Sequence, residues 1–454
     1  MQLISPADAL FLIAESRNHP MHVGTLALFE PPEGLDSVEF ARRTYQRLIS
    51  ADEVIHPVFR KRPSRLLGTP QLLWAQDTTV DLGHHVQHWA VPAPGQLGGL
   101  LELVSGMHAS LLDRHRPLWQ MHIIEGLRDG RVALYGKIHH SLIDGVGAQR
   151  LLHRALTDDP YADYPPLPWQ LLPSPPRRQP ARPPGIAAVV RAVAEPAAGA
   201  SLLRVARAVL GAQQQALPFS APRTVFNGPI GEARRCGVRS WPLSRIKQIA
   251  KAADATVNDV VLAVCAGALR DYLDSRNALP DTPLVAMVPV SVRGDDPGDH
   301  DGNKIAAVLC PLATHLTEPA DRLTTISAAM RRGKALYNGL SHREAFAATA
   351  LTLSPLALTL SATAVSLTRP PFNLVISNIP GDRSPRYWNG ARLDASYPLS
   401  IPVHGQALNI TVTGTGTGEN LDFGIVACRR TVPDLDRLID YLDIALHALE
   451  DSTR

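Results

Sequence analysis

The most informative run in this chain is His139-His140-Ser141-Leu142-Ile143-Asp144-Gly145, where two imidazoles, a hydroxyl and a carboxylate crowd into seven residues. An imidazole has an unperturbed pKa near 6.5, so at neutral pH it is mostly free base. It can take a proton from a hydroxyl and hand it back. Asp144 stands just before a predicted helix, and Gly145 would permit a sharp turn there. A second reading stays open at this level. Asp144 is a good N-cap for any helix, and a histidine pair at a strand end can be half-buried and hydrogen-bonded with no part in chemistry.

Residues 132–140 must position that run, and they read as a strand. Alternation puts Val132, Leu134 and Ile138 on one face with His140, and Ala133, Tyr135 and Lys137 on the other with His139. A helix follows over 147–156, with Leu151, Leu152, Ala155 and Leu156 at helical spacing. Upstream, Met21–Phe29 reads as a strand, Ser37–Ile49 as a helix with Ser37 as N-cap, and Leu97–Leu112 as another helix. Between Pro160 and Gly185 there are ten prolines in 26 residues, which suit an extended linker and no regular element. An Ala-, Val- and Arg-rich segment, 186–216, follows as a helix pair broken at Pro196. The second half again mixes helices (Leu243–Ala253, Val257–Asp274, 433–449) with strands (Leu284–Val292, Asn373–Ser377, Leu408–Thr413, Asp422–Ala427). The expected fold class is therefore α/β (α+β). Its expected units are residues 1–158, a linker with crossing helices over 159–220, and residues 221–454.

Composition narrows the function classes. The 454 residues are 45% hydrophobic and 19% charged, too apolar for a disordered chain, and the net charge of +3 gives no field that argues for nucleic acid. Four cysteines stand far apart without C-x-x-C spacing, which favours a reduced compartment and neither a zinc ribbon nor a disulfide framework. The first 20 residues carry acidic groups in a short apolar run and are not expected to be a secretory signal. The 23 residues 345–367 hold no formal charge but include seven Ser or Thr and Pro355. They read as a buried or membrane-contacting helix pair, not a span. His84-His85-Val86-Gln87-His88 lacks a carboxylate or cysteine at ligand spacing, so no metal site is expected. Gly414-Thr415-Gly416-Thr417-Gly418 lies between two strands and reads as a hairpin turn. Asp422-Phe423-Gly424 stands without other kinase elements, and neither a Walker A pattern nor a G-x-S-x-G elbow occurs.

His139-His140-Ser141-Leu142-Ile143-Asp144-Gly145 matches the HHxxxDG motif of the chloramphenicol-acetyltransferase-like superfamily. Its companions resemble the bacterial wax ester synthase/diacylglycerol acyltransferase family. They are Ser5-Pro6-Ala7-Asp8-Ala9-Leu10-Phe11-Leu12, Pro20-Met21-His22-Val23-Gly24, Pro117-Leu118-Trp119 followed by Ile124-Glu125-Gly126-Leu127, and Asn258-Asp259. Val288-Pro289-Val290-Ser291-Val292-Arg293, Gly302-Asn303, Ser377-Asn378-Ile379-Pro380-Gly381 and Pro398-Leu399-Ser400-Ile401-Pro402 complete the set. In order from residue 5 to beyond 400, they extend the resemblance over nearly the whole chain.

That resemblance implies two acetyltransferase-like domains with a channel between them. It implies an O-acyltransferase in which His140 is the general base, His139 supports the turn, and no acyl-enzyme forms. Asp144 would hold the turn through an arginine, for which Arg293 is the candidate. Gly145 belongs to the motif. Asn258 would either donate a hydrogen bond in the channel or cap its helix, and Ser377 and Asn378 are candidate channel residues. Trp119 is expected to pack. No cofactor is implied; acyl-CoA is the co-substrate, and diacylglycerol or a long-chain alcohol the acceptor. The enzyme would sit in the cytoplasm, peripherally attached to a membrane or lipid-droplet surface, with 186–216 or 345–367 making the contact. The competing reading within the superfamily is a condensation or polyketide-associated acyltransferase fed by a carrier protein.

Overall fold

The computed structural model describes residues 2–50, 55–65, 73–162, 167–171, 219–292, 304–337, 348–349, 352, 361–379, 381, 384–415 and 419–453. The strands in chain order are β1 (Gln2–Leu3), β2 (His22–Glu30), β3 (Lys61–Ser64), β4 (Leu73–Gln76), β5 (Val86–Ala90), β6 (Trp119–Glu125), β7 (Val132–His139), β8 (Arg234–Pro242), β9 (Val285–Val292), β10 (Lys304–Pro311), β11 (Leu374–Ile379), β12 (Tyr387–Trp388), β13 (Ala391–Leu399), β14 (Leu408–Thr415) and β15 (Asn420–Cys428). The longer helices are α1 (Pro6–Ala14), α2 (Ser37–Ile49), α3 (Leu97–Ala109), α4 (Gly145–Ala155), α5 (Leu243–Ala252), α6 (Val257–Asp274), α7 (Pro319–Ala335) and α8 (Leu435–Ser452).

Two mixed six-stranded sheets organise the chain, in spatial order β12-β13-β2-β7-β6-β5 and β10-β9-β11-β14-β15-β8, with a small sheet β1-β4-β3 beside them. Strand β2 reads as a nearly continuous apolar run because both its faces are covered. Val23, Ala27 and Phe29 pack with Phe40, Ala41 and Leu48 of α2. Leu26 and Leu28 face the other way, with Tyr135 of β7, Leu100 and Val104 of α3, Val238 of β8 and Val426 of β15. That second face is where the two halves meet. The apolar helix α6 is the centre of the second half, buried against α5, α7 and α8. No single helix among the described residues is long and apolar enough to cross a membrane.

Strand β13 crosses between the halves: although late in the chain, it pairs antiparallel with β2 in the first sheet. The span 221–454 therefore does not stay within one sheet. At the crossing, β13 lies directly on β15. A Cβ added at Gly424 would stand 2.0 Å from the carbonyl oxygen of Pro398, so only glycine allows the approach. Nearby, the Ser396 N–H (2.9 Å) and the Ser240 hydroxyl (2.6 Å) donate to the buried Asp422 carboxyl. Burial pushes that carboxyl up to about 6, against those bonds.

Two caps differ from expectation, each because a better acceptor stands just upstream. Asp36, not Ser37, caps α2 by accepting the N–H groups of Val38 and Glu39. Thr256, not Asn258, caps α6: its hydroxyl accepts the Asp259 N–H, and Asp259 accepts the Thr256 N–H, a reciprocal capping box. The 186–216 segment lies outside the described residues, as do Arg293, Gly302-Asn303, Pro380 and most of 345–360. Residues Ala362–Leu367 form a short helix that begins at Ser361.

Candidate active site

Strand β7 delivers the histidines. Val132, Leu134 and Ile138 face α2, while Ala133 and Tyr135 face the second half. Lys137 shares the latter face and donates to the carbonyls of Met107 and Ser110 at the end of α3, both at 2.9 Å. His139 is the last strand residue, paired with His22 of β2. His140 has already left the strand, so its direction comes from the turn and not from strand alternation. Its backbone N–H donates to the Met21 carbonyl at 2.8 Å. Its half-buried ring stacks on Phe11 of α1, with centroids 4.1 Å apart and planes 18° from parallel. Burial lowers the His140 imidazole below its usual 6.5; the carboxylate of Asp144 opposes that shift without reversing it.

His139 is 0% exposed and held on both sides. Its Nδ1 accepts the Ser141 N–H at 3.1 Å and lies 2.6 Å from the Ser141 hydroxyl. A backbone N–H can only donate, which assigns the neutral ring's proton to Nε2. That Nε2 faces Oε1 of Glu15 at 3.4 Å without forming a well-aligned hydrogen bond. Glu15, itself buried, also accepts the Met21 N–H at 3.1 Å and the Arg114 guanidinium at 3.0 Å. Burial alone would raise this carboxyl. The His139 contact, the Met21 N–H and Arg114 outweigh burial and hold it below 4.5, so Glu15 is charged at neutral pH.

Asp144 is exposed and caps α4, its Oδ1 accepting the Gly147 N–H at 2.6 Å. The expected partner Arg293 lies outside the described residues. Gly145 does not supply the tight turn expected of it. Its φ is not left-handed, and a Cβ there would meet only Val23 at 4.0 Å. The turn closes earlier, through the Leu142 N–H to the His139 carbonyl at 2.9 Å. Gly147 is the crowded position, where a Cβ would come within 2.8 Å of Ile143 and 2.9 Å of the Asp144 carboxylate.

The remaining candidates belong to the second half. Asn258 is half-buried in the first turn of α6, and Ser377 and Asn378 are half-buried on β11, beside Thr411 and Val412 of β14. Among the described residues no hydrogen bond links them to His139, His140 or Asp144. Trp119 packs: it is buried, donates to the Phe59 carbonyl at 2.9 Å and stacks on His85 and Trp169. His85 is bonded to the Trp119 carbonyl and His88 to Glu125, so each ring of the His84–His88 cluster named here serves packing. The sequence reading missed Glu15 and Arg114. The available signal was a carboxylate directly after the apolar run Ala9–Ala14, where a buried charge requires partners.

A histidine turn at the end of a central strand, in a chain of two mixed sheets with a late strand crossing into the first, defines a chloramphenicol-acetyltransferase-like scaffold. The first condensation domain of the calcium-dependent antibiotic synthetase has this fold, with a TM-score of 0.58 over 100% of this chain and 96% of that one, at 16% identity. The wax ester synthase/diacylglycerol acyltransferase catalytic domain family matches residues 4–261, and its C-terminal domain family matches 301–450. The chain belongs to this family, and it is an acyltransferase. A wax ester synthase/diacylglycerol acyltransferase from Marinobacter aquaeolei superposes with a TM-score of 0.81 and 38% identity, covering 100% of both chains. A Mycobacterium tuberculosis protein named "Probable diacyglycerol O-acyltransferase tgs2" is 49% identical over 453 residues, 99% of each chain.

Proposed function

We propose that this protein transfers an acyl group from acyl-CoA to the hydroxyl of diacylglycerol or a long-chain alcohol, with His140 as general base. The observation that carries this reading is the His140 imidazole. It is half-buried, stacked on Phe11 and lowered by burial, and is therefore free base at neutral pH. His140 takes the proton of the acceptor hydroxyl as its oxygen attacks the thioester carbonyl. The tetrahedral oxyanion collapses, the C–S bond breaks, and the CoA thiolate receives the proton from His140. No side chain becomes acylated in this scheme and no cofactor is used. Because these acceptors reside in membranes or droplets, attachment is peripheral.

The test is release of free thiol from palmitoyl-CoA on adding diacylglycerol or hexadecanol in vesicles, with flotation of the protein measured in the same samples. Acceptor-dependent thiol and floating protein are expected. No thiol from acyl-CoA, with transfer from an acylated carrier protein instead, would overturn the CoA reading. Protein that stays at the bottom would remove attachment.

The pH profile offers a sharper check. The free base is the active form and burial holds its pKa below 6.5. The acid limb of kcat/KM is thus expected to have its midpoint below 6.5, with activity lost as the pH falls through that lowered value. An acid limb of kcat/KM with its midpoint at or above 6.5 would rule out His140 as the titrating base.

A further inference from the structure

We infer that Glu15, anchored by Arg114, is a positioning residue that clamps both histidines of the motif and so fixes the geometry of the base. The inference rests on His140 being that base. Glu15 caps the C-terminus of α1, more than a hundred residues before the motif, yet its carboxylate is linked to both members of the pair. One oxygen faces the His139 Nε2 at 3.4 Å. The same oxygen accepts the Met21 N–H at 3.1 Å, and the carbonyl of that same residue accepts the His140 N–H at 2.8 Å. The carboxylate therefore meets the His139 ring directly and the His140 backbone through the single residue Met21.

Arg114 completes the device from outside. It bonds the second carboxylate oxygen at 3.0 Å and the Leu12 carbonyl at 2.6 Å, tying the clamp to α1. The same helix carries Phe11, on which the His140 ring stacks. The Glu15 side chain is 1% exposed and Arg114's is 29% exposed, so the charge is sealed on the histidine side and hydrated only beyond the arginine. Two hydrogen-bond donors and the His139 Nε2 converge on two carboxylate oxygens. A neutral amide in this place would offer one oxygen and two unwanted N–H groups, so it cannot serve them all. A reacting hydroxyl tolerates little displacement of its base. A shift of about 1 Å can cost 10²-fold in rate.

Glu15→Gln is the test, in the full chain with acyl-CoA and diacylglycerol. The amide keeps an oxygen for the Met21 N–H, so its defect runs through His139. The expected result is a kcat lower by about 10- to 100-fold, an unchanged KM for acyl-CoA, and an unchanged circular dichroism spectrum. Combining it with His139→Ala should lower kcat no further than His139→Ala alone, because the two residues act as one unit. Arg114→Gln, which removes only the outer anchor, should show the same kcat-selective loss in weaker form. A wild-type kcat in Glu15→Gln, a loss confined to KM, or losses that multiply in the double variant would overturn the clamp. If His140→Ala is inactive while Glu15→Gln is not impaired, the base reading stands and the clamp falls. If His140→Ala remains active, the base reading falls first.

Discussion

His140→Ala is expected to lower kcat/KM by about 10²–10⁴ while leaving the fold intact. What the fold uses of this residue is its backbone: the N–H bonded to Met21 survives the substitution. The ring contributes a stacking contact with Phe11. Alanine at His139 should behave differently. That ring is fully buried, and its removal strips the Nε2 that faces Glu15 and an acceptor from Ser141. Leaving buried polar groups without their partner costs about 1–3 kcal/mol, so His139→Ala is expected to lose melting temperature and to keep more residual turnover than His140→Ala. Steady-state kinetics and thermal denaturation of the two variants separate the roles. A dead His139 variant beside an active His140 variant would reverse the assignment.

Gly424→Ala carries the largest expected effect on stability. The new methyl carbon would stand 2.0 Å from the Pro398 carbonyl oxygen and 2.9 Å from its carbon, both backbone atoms. Neither strand can yield easily. β15 is held between β14 and β8, and β13 between β12 and β2. Relief requires the two sheets to part where Leu26, Tyr135, Val238 and Val426 form their shared core. A loss of about 3 kcal/mol or more is expected, at the upper end of overpacking costs, visible as a several-degree fall in melting temperature and loss of soluble, active enzyme. A variant melting within about 1 °C of wild type, where each kcal/mol shifts a large domain by about 2–4 °C, would refute the tight crossing.

The sequence by itself determined what depends on neighbours along the chain. Period-two alternation placed Val132, Leu134 and Ile138 opposite Ala133, Tyr135 and Lys137, since a strand turns its side chains alternately whatever lies around it. Helices α2, α5 and α6 were legible from spacing to within a residue or two, and the ordered motifs from Ser5 to Pro402 led to the family. Even local detail slipped where acceptors compete. Asp36 outcompetes Ser37, Thr256 leaves Asn258 inside its helix, and Gly147 is crowded where Gly145 is not. Only the tertiary structure brought Glu15, Arg114 and Met21 to the histidines, sent β13 into the first sheet, and made Gly424 irreplaceable. Those relations depend on which strand lies beside which. Strand order is settled by the burial of both sheet faces at once, and hydrophobic periodicity, which reports one face of one element, carries no record of it.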